Sequence, residues 1–330
     1  MPKISVIMPA YNAEKYIGEA IDSILSQTFE DFEFIILNDC SKDRTEEIIL
    51  SYGDPRIVYL KNEQNLGVAA TLNKGLANAK GEYIARMDAD DISLPERFEK
   101  QVTYLDANDD IAVLGTNLEC FNEYGTISTG WSVSEPEQMK VDMFFSCGLA
   151  HPSVMMRTDV IRSLGGYDLA FNGLEDYELW CRVLENHKIT TLPDILLRYR
   201  IHGSQVTQNP SPRHREQMRA LKTRQIRQLG LEPNQAVAFF LFCEEGKPDT
   251  AEAIKALDAF FVLADKANAE KHLFDAEKLR ASFRSVILSS AVALPSHARK
   301  ELAATCHFLS KRDFLVFSLK KKIKYLLGRK

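Results

Sequence analysis

Over residues 1–208 the chain alternates short apolar runs with stretches that are apolar on one side only. Ile4-Ser-Val-Ile-Met8, Glu33-Phe-Ile-Ile-Leu37, Ile57-Val-Tyr-Leu60 and Tyr83-Ile-Ala-Arg-Met87 have the length of strands buried in a sheet. Between the first two, Ile17, Ala20, Ile21, Ile24 and Leu25 recur at i, i+3, i+4, i+7 and i+8, one face of a helix. Asn12 stands where an N-cap for that helix belongs. A helix is predicted over 44–51, and another from the Asn65-Leu-Gly67 turn through Ala79, closed by Gly81. Repeated strand–helix units predict an α/β fold: a Rossmann-like, mostly parallel sheet with right-handed crossovers and helices on both faces. Such sheets bind ligands beyond the carboxyl ends of their strands. Here those ends carry Pro9-Ala-Tyr-Asn12, Asn38-Asp39 and Asp88-Ala-Asp-Asp91.

Further along, Phe98, Val102 and Leu105 mark a helix, with Ser93-Leu-Pro-Glu96 as its capping box. A strand is predicted over 111–116, a hairpin or loop over 118–134, and a helix from Met139 that ends in a turn at Gly148. Strands over 152–156 and 196–202 flank the Gly165-Gly-Tyr-Asp168 turn and a helix over 174–187. Asn209-Pro-Ser-Pro212 reads as a linker, dividing the chain into domains 1–208 and 209–330. The second is all-helical in pattern, with helices over 213–229, 234–243, 250–264, 275–291 and 296–309.

Composition narrows the function classes. With 330 residues, 45% hydrophobic and 26% charged, the chain can bury a sizeable core. A formal net charge of -5 gives no footprint for nucleic acid. Six scattered cysteines without a Cys-x-x-Cys pair exclude a zinc ribbon and fit a reducing compartment. The apolar run at the N-terminus is too short for a signal peptide, and no window spans a membrane. The expected location is cytoplasmic. Residues 311–330 mix Phe314, Leu315, Phe317 and Ile323 with lysines, the pattern of a peripheral anchor on anionic lipid or of a solvated helix end.

The candidate chemistry centres on Asp88, Asp90 and Asp91. Carboxylates crowded at one strand end repel each other and gain proton affinity unless a cation is present. Oxygen-only ligands suit magnesium or manganese. Taken in order, Ser5-Val-Ile-Met-Pro-Ala-Tyr-Asn12, Asn38-Asp39, Asn65-x-Gly67 with Asn73, Asp88-Ala-Asp90 and Glu175-Asp176 resemble the motif series of the inverting glycosyltransferases of family 2. The likeness runs from residue 3 to about 205 and leaves the C-terminal third uncovered.

That resemblance implies a GT-A fold and a nucleoside-diphosphate-sugar donor, with UDP-sugar the first expectation. Pro9, Ala10, Tyr11 and Asn12 would line the nucleoside, with Tyr11 on the base. Asp39 would accept a hydrogen bond from the base edge, and Asn65, Gly67 and Asn73 would close the base and ribose side. Asp88, with Ala89 beside it, would face the ribose and the metal, and Asp90 would ligate Mn2+ or Mg2+. Arg86 and His202 could clamp the diphosphate, although Arg86 could equally pair with an acid and His202 could be structural. Asp176 would be the general base, oriented by Glu175; first-turn acids also complement a helix dipole. The chain departs from the family in having Asn38 before Asp39, Cys40 where glycine is common, and no Gln-x-x-Arg-Trp motif near Trp180. The last departure argues for adding single sugars to a glycan or lipid-linked glycan. Two rivals stay open: a sugar-phosphate nucleotidyltransferase, whose glycine-rich basic loop is missing after the first strand, and a non-catalytic nucleotide-sugar-binding module.

Overall fold

A computed structural model describes residues 1–130, 134–203, 205, 213–310 and 312–313. The chain divides into two compact units, Met1–Met143 with Cys147–His214, and Phe144–Ser146 with Arg215–Lys330. The strands are β1 (Ile4–Ala10), β2 (Phe32–Asn38), β3 (Ile57–Lys61), β4 (Tyr83–Arg86), β5 (Ile92–Ser93), β6 (Ile111–Asn122), β7 (Gly125–Thr129), β8 (Met155–Arg157) and β9 (Lys188–Arg200). Between them in the chain come α1 (Ile17–Leu25), α2 (Thr45–Leu50), α3 (Val68–Asn78), α4 (Arg97–Ala107), α5 (Pro136–Phe145), α6 (Thr158–Ser163) and α7 (Glu175–Asn186).

Among the described residues the strands form one mixed sheet in the order β3-β2-β1-β4-β8-β6-β9-β5, with β7 paired to β6. The first four neighbours are parallel, as the strand–helix alternation requires. β8 then runs antiparallel between β4 and β6, and β9 lies parallel to β6. The period of two along each strand sorts side chains to two faces. Val6, Met8, Phe34, Ala85 and Met87 pack with α1 and α4 in one core. The intervening positions include Ile7, which packs against α3, and Arg86, which shares the parity of Ile84 and Asp88. A Cβ on Gly75 of α3 would stand 2.6 Å from Ile7 Cγ2, so glycine sets how closely that helix lies on the sheet.

Several local expectations give way to tertiary contacts. Asn12 does not cap α1, whose N-cap is Tyr16 without a side-chain bond. It takes a left-handed φ of 49°, and its Oδ1 accepts from the Lys42 amide at 2.9 Å. The capping box at Ser93-Leu-Pro-Glu96 does not form: Ser93 lies in β5, its Oγ accepts from Gln27 Nε2 at 3.1 Å, and Glu96 is the N-cap of α4. Pairing of β5 with β9 offers more than the cap. Gly81 does not close α3, which ends on an extended Ala79. Gly81 is there because the chain passes tightly against β1, where a Cβ would stand 2.4 Å from the Ser5 nitrogen and 2.6 Å from the Ile4 carbonyl carbon. The strand expected over 196–202 is the end of the longer β9, whose pairing with β6 shifts register around Pro193, a residue with no N–H to donate. The predicted linker at 209–212, and all but two residues of the 311–330 tail, lie outside the described residues.

The second unit is helical, as expected: α8 (His214–Gln228), α9 (Val237–Glu245), α10 (Ala251–Lys271), α11 (Ala276–Ala291) and α12 (Ser296–Thr305). Thr250 caps α10 and Asp275 caps α11 through their side chains. Phenylalanine builds the core, with Phe144 stacked on Phe239 at 4.7 Å and Phe261 on Phe283 at 4.1 Å. The buried Lys222 donates to the Phe144 carbonyl at 2.6 Å.

Gly81→Ala is expected to lower the unfolding free energy by about 1–3 kcal/mol, because the neighbouring atoms are backbone and cannot yield. Gly53→Ala, with nothing within 4 Å of its new methyl, is the control. Urea denaturation compares the two; equal midpoints would contradict the close approach.

Candidate active site

The ends of β1 and β2 lie side by side, with Ala10 opposite Asn38 and the Asp39 amide donating to the Ala10 carbonyl at 2.8 Å. Pro9 and Ala10 therefore close β1, and Tyr11 stands 51% exposed at the sheet edge. Asp39 is buried. Its Oδ1 accepts from Asn62 Nδ2 and the Leu66 amide, both at 2.8 Å, and its Oδ2 from the Gly67 amide at 3.0 Å. A carboxylate has about four acceptor positions, so one is left for a ligand. The same contacts fix the turn that carries Asn65, which is exposed, and Gly67, whose φ of 81° suits glycine. Cys40 adopts φ 63°, the left-handed turn a glycine would enter more easily, and Asn38 Oδ1 supports it from beside by accepting from the Ser41 amide at 2.9 Å.

Asn73 also has a structural task. Its Nδ2 donates to the Tyr167 carbonyl and its Oδ1 accepts from the Tyr167 amide, both at 2.8 Å. The side chain is a clasp between α3 and the Gly165–Asp168 turn. Asn172 makes a second clasp, its Oδ1 accepting from the Ala69 amide at 3.2 Å at the start of α3.

After β4 the chain delivers the acids. Carboxylate oxygens of Asp88, Asp90 and Asp91, on either side of the buried Ala89, lie within 4.8 Å of one another. Asp90 Oδ2 meets His202 Nε2 at 2.8 Å. Arg200, at the end of β9, donates its amide to Asp91 Oδ1 at 2.8 Å and its Nε to the Asp90 carbonyl at 2.7 Å. Asp91 is fully buried and its Oδ2 has no hydrogen-bond partner. Burial first, then the charges of Asp88 and Asp90, raise Asp91 well above the carboxylate range. Burial and Asp88 also raise Asp90, against the pull of His202. An all-oxygen set with one orphaned buried oxygen, strained by its own like charges, fits a hard divalent cation. Helix capping does not explain the acids, since α4 starts only at Arg97.

Arg86 is buried and forms an ion pair with Asp88. Its Nη1 touches that carboxylate out of hydrogen-bond alignment, and its Nε has no partner. Glu175 and Asp176 open α7, where Glu175 Oε2 accepts from the Gly173 amide. Burial, then the charge of Asp176, pushes Glu175 up to about 7. Burial raises Asp176 too, with Arg86 opposing and the charge of Asp88 reaching it. Asp176 Oδ1 accepts from the Tyr177 amide at 2.7 Å. The aspartate cluster and the α7 pair are therefore within electrostatic reach of each other, with Arg86 acting on both.

Two further groups belong here that sequence reasoning passed over. His151 Nε2 lies 2.9 Å from the Tyr167 hydroxyl, and both residues are buried. Burial, then Arg86, holds His151 well below its usual range, and burial raises Tyr167. The only signal was the Gly165-Gly-Tyr-Asp168 turn, read for its shape and not for its tyrosine.

The rise of Glu175 from 4.5 to about 7 means that ionising it costs stability progressively between those pH values, with the full cost present above them. Glu175→Gln is thus expected to match the wild type in melting temperature near pH 4 and to exceed it at pH 8. A gap that stays constant with pH would contradict the burial.

The description of Glycosyl transferase family 2 matches residues 5–165. An uncharacterized glycosyltransferase of Methanocaldococcus jannaschii is 41% identical over 210 residues, covering 61% of this chain and 71% of that protein. The O-antigen biosynthesis glycosyltransferase WbnJ of Escherichia coli is 38% identical over 207 residues, 61% of this chain and 80% of that one. The crystal structure of S. aureus TarS 1-349 in complex with UDP-GlcNAc aligns with a TM-score of 0.59 at 21% identity, over 87% of this chain and 90% of that one, a likeness of fold. With its mixed sheet, flanking helices and helical C-terminal region the protein has the GT-A fold, and the chain is a glycosyltransferase that belongs to family 2.

Proposed function

We propose that this enzyme moves one sugar from a UDP- or similar nucleoside-diphosphate sugar to a hydroxyl of a glycan or lipid-linked glycan, inverting the anomeric carbon. The observation that carries the reading is the cluster of Asp88, Asp90 and Asp91 just beyond β4, whose carboxylate oxygens lie within 4.8 Å of one another. Tyr11 would pack on the base and Asp39 would offer it the remaining acceptor position. Asp90 and Asp88, backed by Asp91, would hold Mn2+ or Mg2+, which when bound supplies Lewis-acid stabilisation of the departing diphosphate. His202 orients Asp90 for that task.

On the acceptor side Asp176 takes the proton of the attacking hydroxyl. The new bond joins the acceptor oxygen to the anomeric carbon, and the bond from that carbon to the diphosphate oxygen breaks through an oxocarbenium-like state. A carboxylate raised by burial is a stronger base at neutral pH than an ordinary one. Glu175, tied to the Gly173 amide, keeps the first turn of α7 in place.

UDP as donor base is supported by the UDP-GlcNAc complex of TarS, and assembly of bacterial surface polysaccharide by the O-antigen role named for WbnJ. Single-sugar transfer is supported by the missing Gln-x-x-Arg-Trp motif. No helix of the described residues is long and apolar enough to cross a membrane. We propose instead peripheral contact at the inner face of the membrane through residues 311–330, aided by the basic α8 with its exposed Arg215 and Arg227.

A thermal-shift screen of nucleotide sugars should show stabilisation by a UDP-sugar that grows with Mn2+, and Asp90→Asn should lose the manganese increment. No response to any nucleotide sugar would defeat the reading. Asp176→Asn should keep the donor-induced shift yet lose about 100-fold or more in transfer rate; wild-type turnover would take Asp176 out of the base role. The full chain should cosediment with vesicles containing phosphatidylglycerol, and deletion of 311–330 should abolish this; failure of the full chain to bind ends the membrane proposal.

A further inference from the structure

Asn62, the residue after β3, is buried. Both hydrogens of its amide are used: Nδ2 donates to Asp39 Oδ1 at 2.8 Å and to Thr71 Oγ1 at 3.1 Å. Its Oδ1 accepts from Lys74 Nζ at 2.8 Å, and the same ammonium donates to the Lys61 carbonyl at 2.8 Å. A lysine ammonium can only donate, so Lys74 fixes which end of the amide is oxygen and turns the NH2 toward Asp39. The Asn62 backbone amide donates to the Asn38 carbonyl at 2.9 Å, which holds the residue beside the end of β2. An apolar side chain in this place would need none of these partners.

The consequence falls on Asp39. Its Oδ1 takes two donors, Asn62 Nδ2 and the Leu66 amide, which is a full complement. Its Oδ2 takes the Gly67 amide, so the open acceptor position lies on Oδ2. A carboxylate with both oxygens open can receive two parallel N–H donors, as it does from arginine. Asp39 cannot. Guanine presents two such donors side by side, its ring N1–H and its 2-amino group. Uracil and hypoxanthine present one ring N–H at the corresponding edge. With Asp39 only 4% exposed, a second donor brought against it would be left without a partner and largely without water.

We propose that Asn62 determines the base specificity of the donor site: by filling Oδ1 of Asp39 it leaves one acceptor position, so the site takes a nucleoside diphosphate whose base offers a single N–H and discriminates against guanine. Asn62 is a positioning residue and touches no ligand. It acts through Asp39, while Lys74 fixes its orientation and Thr71 takes its other hydrogen. Without Asn62 an acceptor position opens on Oδ1, and the carboxylate loses a bond that fixes its plane. A two-donor edge is then no longer penalised. This rests on the reading of Asp39 as the group that meets the donor base.

The experiment is calorimetric titration of the full chain with UDP, IDP and GDP at one Mg2+ concentration. IDP and GDP differ only in the 2-amino group, so the size of the purine cancels between them. The wild type is expected to bind UDP, and to bind IDP about tenfold more tightly than GDP. Asn62→Ala should abolish that gap, and Lys74→Met, which releases the other end of the amide, should narrow it. A folded Asn62→Ala that weakens all three nucleotides by the same factor would reduce Asn62 to a structural residue and overturn the proposal. Equal binding of IDP and GDP by the wild type would overturn it too, and so would binding of UDP with neither purine, since size alone would then select. If Asn62→Ala does not fold, Lys74→Met decides, and an unchanged gap there is equally fatal. Failure of all three nucleotides to bind would instead strike the nucleotide-sugar reading itself, an outcome distinct from each of these.

Discussion

Everything in the first unit of this protein answers to one constraint: five carboxylates are held where water cannot fully screen them. Asp88, Asp90 and Asp91 lie within 4.8 Å of one another, and Glu175 and Asp176 open α7. Charges in such a place must be paired, protonated or bound to a cation. The chain uses several answers at once. Arg86 pairs with Asp88, His202 meets Asp90, and Arg200 donates to the backbone and side chain of the acidic loop. What these leave unbalanced underlies the proposed affinity for a divalent ion and, on α7, the basicity proposed for Asp176.

The scaffold serves this balance by making the loops rigid. Asp39 spends three of its acceptor positions on Asn62 and the turn at Asn65–Gly67, so the loop around it is shaped before any ligand arrives. Asn73 and Asn172 clasp α3 to the segment that leads into α7. Arg182 pairs with Glu178 and donates to the carbonyls of Leu164 and Gly166, fixing the same segment from within α7. The segment leading into α7 is thus held by hydrogen bonds from both α3 and α7, and Glu175 and Asp176 are tied to the Gly173 and Tyr177 amides.

Legibility followed the range of the interaction. The strands β1 to β4 and the helices between them were readable because apolar periodicity is local and the burial it reports is large. The motif ends, Asn38-Asp39 and Asp88-Ala-Asp90, were readable because strand ends in a parallel sheet share an edge by topology. Local capping rules failed at Asn12, Ser93 and Gly81, where a partner distant in the chain offered more than the cap. The clasp made by Asn73 was unreadable for the same reason: its two bonds go to Tyr167, a residue 94 positions away. His151 escaped notice because nothing local marks a histidine that meets a tyrosine only after β8 and α7 are in place.

By itself, then, the order of residues determined the alternating half of the sheet, the helical character of the C-terminal unit and the identity of the acids, since each rests on period, composition or spacing within a short window. Only the tertiary structure decided that β8 enters antiparallel, that His202 reaches Asp90, and that the Arg200 amide, 109 positions on, donates to Asp91. Electrostatic and hydrogen-bond energies depend on distances through space and on exclusion of water, and neither is written along the chain.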